Sequence, residues 1–371
     1  MSDPFLVFPA NPSASYQVHR EEIDAALHTA LNGTNYILGD QVAAFEREYA
    51  EWMGGGYAIG LANGTDAVEL CLRACGVQPG DHVAIPTHTA VATATAVVRA
   101  GARPVFLDIN PETFLLDLAS LEKVLVSERK LAAVVPVHLY GQAIDMTTLM
   151  AWAEIHGFQV VEDCSQAHGA LWNGGKVGTF GHAAAYSCYP TKNLGAMGDA
   201  GVAFTRSPEI AECILSLRQY GWRERYISSE VGMNSRLDEL QAAILRVKLR
   251  HLNADNARRR AIASQYDKAF AALDILRPVV HDGHVFHQYT IATSRRDEFK
   301  AHLAERKVLA GILYPQPIHR QPAYYEYVDE STVDLGASEE ACRTLLCLPM
   351  HPHLMDGEVA RVIDGVVSFF A

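Results

Sequence analysis

The sequence predicts an α/β protein with a mostly parallel sheet and a smaller C-terminal α+β lobe, on three observations. Between about residues 57 and 205, short β-branched runs alternate with helical patterns, as in chains that build a parallel sheet through crossover helices. From Ser235 to about Ala271 there is neither Pro nor Gly, and the apolar rhythm stays helical, so one long helix is expected to bridge two lobes. Beyond it come one strand pattern, one helical pattern and several Pro-containing loops. The boundary is expected within the long helix, giving lobes of residues 1–250 and 251–371.

Taken in order, the strand candidates are HVAIP (82–86), RPVFLDI (103–109), AAVVPVHLY (132–140), FQVVEDC (158–164), AAAYSC (183–188) and GVAFT (201–205). Apolar residues spaced three and four apart predict helices over 65–74 and 146–156. Ser207-Pro208 reads as a cap and first position of a helix running to Tyr220. HQYTIAT (287–293) predicts a strand of the C-terminal lobe, and 296–305 predicts a helix. In such a fold, ligands gather at the carboxyl ends of the parallel strands.

Composition narrows the function classes. The 371 residues are 49% hydrophobic and 20% charged, an ordinary globular balance. The net charge of −12, without a dense Lys/Arg tract, excludes nucleic acid as an expected partner. No apolar run approaches the ~18 residues of a membrane span, and the N-terminus lacks the pattern of a secretory signal, so a cytoplasmic protein is expected. Seven cysteines form no CxxC pair; reduced thiols and no metal centre are expected.

Four segments carry chemistry-bearing residues. ANGTDAVEL sets Gly64 and Thr65 at a helix start, where free backbone N–H groups and a hydroxyl suit a phosphate; in isolation a plain N-cap with Gly for a tight turn is the better explanation. VVEDCSQAHG ends a β run in Glu162 and Asp163 and continues into Gln166, so a carboxylate can reach a cofactor ring nitrogen, or merely cap a helix. YSCYPTKNLGAMGDAG places Ser187 at a strand end and Lys192 in a low-charge, Gly-rich loop, where an amine gives up its proton readily. QYGWRERY and VGMNSRLDELQAA bring Arg223, Arg225 and Tyr226, which suit a diphosphate clamp or ordinary surface pairs, and then Asn234 before the long helix.

These segments in this order resemble the DegT/DnrJ/StrS family of pyridoxal-phosphate sugar aminotransferases, over nearly the whole chain from NYILGDQVAAFEREYA to CLPMHP. The resemblance implies the fold-type I architecture of aspartate aminotransferase, with a mixed seven-stranded sheet in the large domain, a small C-terminal domain, and a homodimer with shared active sites. It implies pyridoxal 5′-phosphate as cofactor, Lys192 as the cofactor-linked lysine and proton shuttle, and Asp163 as the partner of the ring nitrogen. Gln166 would face the ring, and Gly64, Thr65 and Ser187 would hold the phosphate with Asn234 of the second subunit. Where many members carry an aromatic, this chain has Ala90, and His88 is expected to stack on the ring instead. Arg223, Arg225, Tyr226 and His319 are expected to contact substrate.

The implied reaction moves an amino group from L-glutamate to a nucleotide-linked keto sugar. The YGWRERY and NSRLDELQAA segments resemble most the members that aminate C3 of dTDP-3-keto-6-deoxyhexoses. Amination of a C4 keto sugar or a keto-cyclitol is the alternative within the fold. A non-catalytic binding or regulatory protein would have no need of Lys192, Asp163 and Ser187 together.

Overall fold

The computed structural model describes residues 6–127, 130–279, 282–328 and 334–370. Helices α1 (Pro12–Val18), α2 (Arg20–Leu31) and α3 (Asp40–Met53) lead into strand β1 (Tyr57–Leu61). Then follow α4 (Gly64–Ala74), β2 (His82–Pro86), α5 (Val91–Arg99), β3 (Arg103–Leu107), α6 (Leu118–Leu125), β4 (Ala133–Val134), α7 (Met146–His156) and β5 (Gln159–Asp163). A small hairpin, β6 (Leu171–Trp172) and β7 (Gly175–Lys176), precedes β8 (Ala183–Ser187), β9 (Gly201–Thr205) and α8 (Pro208–Leu217). A second hairpin, β10 (Trp222–Glu224) and β11 (Ile227–Ser228), opens onto α9 (Glu239–Ala269). The rest is β12 (Tyr289–Ala292), α10 (Arg296–Glu305), α11 (Gly336–Thr344), β13 (Leu345–Leu348) and α12 (Asp356–Phe370).

The central sheet has seven strands in the order β1-β9-β8-β5-β4-β2-β3. Strand β9 runs antiparallel to both β1 and β8, and the other pairings are parallel, so the sheet is mixed. One expected strand is much longer in sequence than in space. The run 132–140 pairs regularly only at Ala133 and Val134, because Pro136 has no N–H to donate and Tyr140 then turns left-handed at φ 61°. Strand β1 has no counterpart among the sequence candidates, and neither does β13, which pairs antiparallel with β12.

The strands are apolar on both faces, but their alternation sorts side chains into two layers. Val161, Ala183, Ala185 and Ala203 face α4, α5 and α8, whereas Val160, Ala184, Tyr186 and Val202 face the opposite layer. Ala183 and Ala185 of β8 let α4 approach closely, which brings the start of that helix against the end of β8.

Helix α9 is one continuous helix of 31 residues, about 46 Å long. Its first half buries Leu245, Leu249 and Leu252 beneath the sheet, and its second half buries Ile262, Ala263 and Tyr266 among the C-terminal elements. Val7 joins that C-terminal core and bridges to Val308. Among the described residues, no helix is long and apolar enough to cross a membrane, and all seven cysteines are free thiols.

Candidate active site

A cleft of about 270 Å³ opens at the carboxyl ends of the parallel strands. Gly64, Thr65, Asp163, Gln166, Ser187 and Lys192 all line it, six expected site residues drawn from three separate segments.

Strand parity explains the two acids of VVEDC. Asp163 follows Val161 onto the face of α4 and α5, while Glu162 points to the other layer. There Glu162 accepts His138 Nε2–H at 2.9 Å and the backbone N–H groups of Gly178, Phe180 and Gly181. His138 Nδ1 accepts from Ile144 N at 3.2 Å, so the imidazole is held as the Nε2–H tautomer. Glu162 is therefore a structural anchor, and Asp163 is the acid presented to the cleft.

The end of β5 is held where β4 has already stopped. Asp163 N donates to the Pro136 carbonyl at 2.8 Å, and His138 N donates to the Asp163 carbonyl at 3.0 Å. The Asp163 carboxylate accepts the Thr93 hydroxyl at 2.9 Å and Ser165 N at 3.1 Å. Thr93 was missed in the sequence reading because VATATAV offers several hydroxyls, and only the packing of α5 selects the one that faces the acid.

Gln166 has both ends of its amide engaged. Its Oε1 accepts Tyr140 N at 2.8 Å, and its Nε2 donates to Tyr314 Oη at 2.7 Å. Tyr140 and Tyr314 both adopt left-handed backbone, φ 61° and 64°, a conformation that costs a non-glycine residue about 1 kcal/mol or more. The strain thus sits around the residue that lines the cleft.

Lys192 closes the opposite wall. Burial of its amine pulls the pKa down to about 8, and only partly do Asp163 and Cys188 pull it back. Its Nζ has no hydrogen bond or ion pair among the described residues. Neighbouring His168 is fully buried, and that burial, with the lysine's charge, holds it neutral with a pKa of about 3. The next residue, Asn193, anchors the loop by donating to Asn256 Oδ1 at 2.8 Å on α9, while its Oδ1 contacts His287 Nδ1 at 3.0 Å.

The cleft fits the cofactor that the resemblance implies. Helix α4, with 11 residues, points its N-terminus into the cleft, and Asn63 Oδ1 caps it by accepting Asp66 N at 2.8 Å. A Cβ at Gly64 would lie 2.6 Å from Ser187 Cβ, so only glycine leaves the backbone of the helix start open beside the Ser187 hydroxyl. That cradle suits a phosphate, a buried carboxylate suits a protonated ring nitrogen, and an unpartnered, easily deprotonated amine suits an aldehyde.

Six expectations fall elsewhere. His88 is fully buried outside the cleft, with Nε2 2.9 Å from Tyr140 Oη and Nδ1 3.4 Å from Cys342 Sγ. Burial pushes its pKa down to about 4, and its ring meets Tyr314 edge-on; it does not stack over the cleft, where Ala90 lies instead. His319 is locked between Thr87 Oγ1 at 2.8 Å and Glu339 Oε1 at 3.1 Å, which corrects the expected substrate contact to a structural one. Arg223, Arg225 and Tyr226 ride on the exposed β10–β11 hairpin, where the guanidinium of Arg225 lies 4.9 Å from the centre of the Tyr226 ring. Asn234 is exposed beside Gln219 and, like the hairpin, does not line this chain's cleft.

Comparison with known proteins agrees with this geometry. The profile of the DegT/DnrJ/EryC1/StrS aminotransferase family matches residues 17–367. The chain is 42% identical over 357 residues to the dTDP-3-amino-3,4,6-trideoxy-alpha-D-glucose transaminase of Streptomyces venezuelae, covering 95% of this chain and 93% of that one. It is 40% identical over 345 residues to the UDP-N-acetyl-3-dehydro-alpha-D-glucosamine 3-aminotransferase of Acidithiobacillus ferrooxidans, covering 92% of each. The crystal structure of S. venezuelae DesV in complex with a ketimine intermediate matches with a TM-score of 0.94 at 40% identity, over 98% of both chains.

Proposed function

This chain belongs to the DegT/DnrJ/EryC1/StrS aminotransferase family, and from that membership we propose that it moves an amino group from L-glutamate to C3 of a dTDP-linked 3-keto-6-deoxyhexose. The chain is a sugar aminotransferase, and its cofactor is pyridoxal 5′-phosphate. When bound, that cofactor supplies an aldehyde for amine exchange and a conjugated ring that accepts the electron pair released at the substrate carbon.

The observation that carries the residue assignments is the meeting of Lys192, Asp163 and the Gly64–Ser187 cradle in one cleft. The α4 N-terminus, Thr65 and Ser187 hold the phosphate. Asp163, oriented by Thr93 and Ser165, holds the ring nitrogen in its protonated form. Lys192 Nζ, half-protonated near pH 8, would accept the proton leaving the substrate carbon and give it back, because an amine with that pKa takes up and gives up protons with little cost in either direction. Gln166, held by Tyr140 and Tyr314, closes the wall beside it.

Position 3 of the sugar is favoured by the names of both relatives, one a dTDP-3-amino sugar transaminase and the other a 3-dehydro sugar 3-aminotransferase. The two differ in nucleotide, so UDP is the second reading for the carrier. We propose that the enzyme acts as a homodimer in the cytoplasm. The β10–β11 hairpin and Asn234 do not line their own cleft, and in that dimer they complete the partner's phosphate and diphosphate sites.

The test separates donor from acceptor. L-Glutamate added to cofactor-loaded protein without acceptor should release one 2-oxoglutarate per chain. A panel of dTDP- and UDP-linked 3-keto and 4-keto hexoses should then give an amino sugar by mass spectrometry, fastest with the dTDP-3-keto compound. Faster amination of a 4-keto sugar would overturn the acceptor assignment.

A further inference from the structure

Behind the loop that bears Lys192, three polar side chains from distant parts of the sequence face one another without partners. The Nε2 atoms of His19 and His353 are both shut from solvent and unbonded. The carboxylate of Asp255 makes no hydrogen bond or ion pair among the described residues. One ligand atom from each of the three lies within 4.8 Å of the others. Leaving a buried polar atom unsatisfied costs about 1–3 kcal/mol, so two such nitrogens beside an unpaired carboxylate call for a common partner.

We propose that His19 Nε2, His353 Nε2 and a carboxylate oxygen of Asp255 bind one divalent transition-metal ion of the zinc class, with water completing the coordination. Two imidazoles and one carboxylate form a donor set this class accepts, and all three residues are half-buried, which leaves room for the water. Tetrahedral bonds of about 2.1 Å put ligand atoms about 3.4 Å apart, within reach of small side-chain rotations from the observed cluster. His251 stacks on the His19 ring at 4.0 Å and fixes its plane.

A neighbouring set, His19, Glu22 and His251, is equally compact but already satisfied. Glu22 accepts from Arg250 at 2.8 Å and from His251 at 2.9 Å. The nearby cations donate to backbone carbonyls and not to Asp255, although Arg259 Nε is shut from solvent without a partner. Lys248 Nζ donates to the Gly195 carbonyl at 2.7 Å, and Arg259 Nη1 donates to the Met350 carbonyl at 2.8 Å, leaving Asp255 as the carboxylate free to take a ligand.

The consequence is structural. His19 joins α1 to α2, Asp255 lies in the middle of α9, and His353 lies in the loop before α12. Asp255 and His353 also line the small cavity that reaches Lys192 from behind. An ion there staples the N-terminal segment and the C-terminal loop to α9 across the back of the catalytic loop.

Cofactor-loaded protein is stripped with a chelator and titrated with cobalt(II), read by visible absorption, and with zinc, read by thermal unfolding. One equivalent should bind with the intense absorption of low-coordinate cobalt, and zinc should raise the unfolding temperature. His353→Ala and Asp255→Asn should each weaken binding by about 100-fold or more, whereas Glu22→Gln should leave it unchanged. The shape-conserving Asp255→Asn guards against a folding defect in His353→Ala, and circular dichroism checks both. Absence of a cobalt spectrum, or binding unaffected by Asp255→Asn, overturns the proposal. Loss in Glu22→Gln with retention in His353→Ala also overturns it, by moving the ion to the neighbouring set.

Discussion

Thr93 on α5 donates its hydroxyl to Oδ2 of Asp163 at 2.9 Å, joining two buried residues 70 positions apart. The bond orients the carboxylate that faces the cleft from a helix that, among the described residues, gives that carboxylate no other hydrogen bond. Thr93→Val keeps the shape and removes the donor, and a hydrogen bond to a charged group is worth about 1.5–3 kcal/mol. Turnover should fall about tenfold or more with cofactor saturating, and Thr93→Ser should restore most of it. An unchanged kcat in Thr93→Val would remove this positioning role.

Lys192→Met should abolish amino transfer and, in the cofactor-free protein, raise stability. The folded lysine has a pKa of about 8 and the unfolded one about 10.4. Below pH 8 both states hold the proton, and the burial cost is present in full, on the order of 3 kcal/mol. Between pH 8 and 10.4 the unfolded state binds more protons, so wild-type stability rises with pH and the advantage of the variant shrinks. Denaturant unfolding of both cofactor-free proteins at pH 7 and pH 9.5 reads this difference.

The same pKa predicts how the cofactor is captured. Only the neutral amine attacks an aldehyde, so the rate at which cofactor-free protein takes up pyridoxal phosphate should rise with pH, with a midpoint near pH 8 and a plateau about one unit above it. Stopped-flow absorption across pH 6.5 to 9 gives the midpoint, and a flat profile would count against Lys192 as the attacking group.

Gly64→Ala should weaken cofactor binding. The added Cβ would lie 2.6 Å from Ser187 Cβ and 3.0 Å from Ser187 Cα, and neither can withdraw from a central strand. Overpacking of this kind costs about 1–3 kcal/mol, part of it in opening the phosphate cradle, so the cofactor Kd should rise about tenfold or more. Equilibrium dialysis against pyridoxal phosphate measures it.

Subunit exchange tests the shared site. Asn234→Asp sets a carboxylate against the phosphate, and Lys192→Ala removes the amine. If each cleft draws Asn234 from the partner, mixed dimers contain one cleft with both residues intact, and activity should return towards one quarter of wild type on mixing. Failure to recover activity after verified exchange would place Asn234 outside the shared site.

Much of the site was legible because its residues sit at ends of elements with strong local signatures. A capped helix start marked Gly64 and Thr65, and apolar runs ending in polar residues marked Asp163 and Ser187. The residues whose roles were misread are histidines in segments without clear periodicity, His88 between two threonines and His319 two residues after Pro317. Their spacing says nothing about direction, and only the packing of Tyr140, Cys342 and Glu339 shows that each is consumed in the interior. The same limit applies to His19, Asp255 and His353, whose separation in sequence hides their proximity.

The amino-acid sequence by itself determined the alternation of elements, the strand ends that would gather a ligand, and the uninterrupted helix through residue 250, because these follow from local periodicity and from where Pro and Gly fall. The family resemblance named Asp163 over its neighbour Glu162, but only tertiary structure supplies the physical reason that Asp163 meets the cleft. Both lie on one buried strand, and its apolar neighbours satisfy either face equally. The choice rests on the register of β5 against β4 and β8, which turns Asp163 toward Thr93 and Glu162 toward His138.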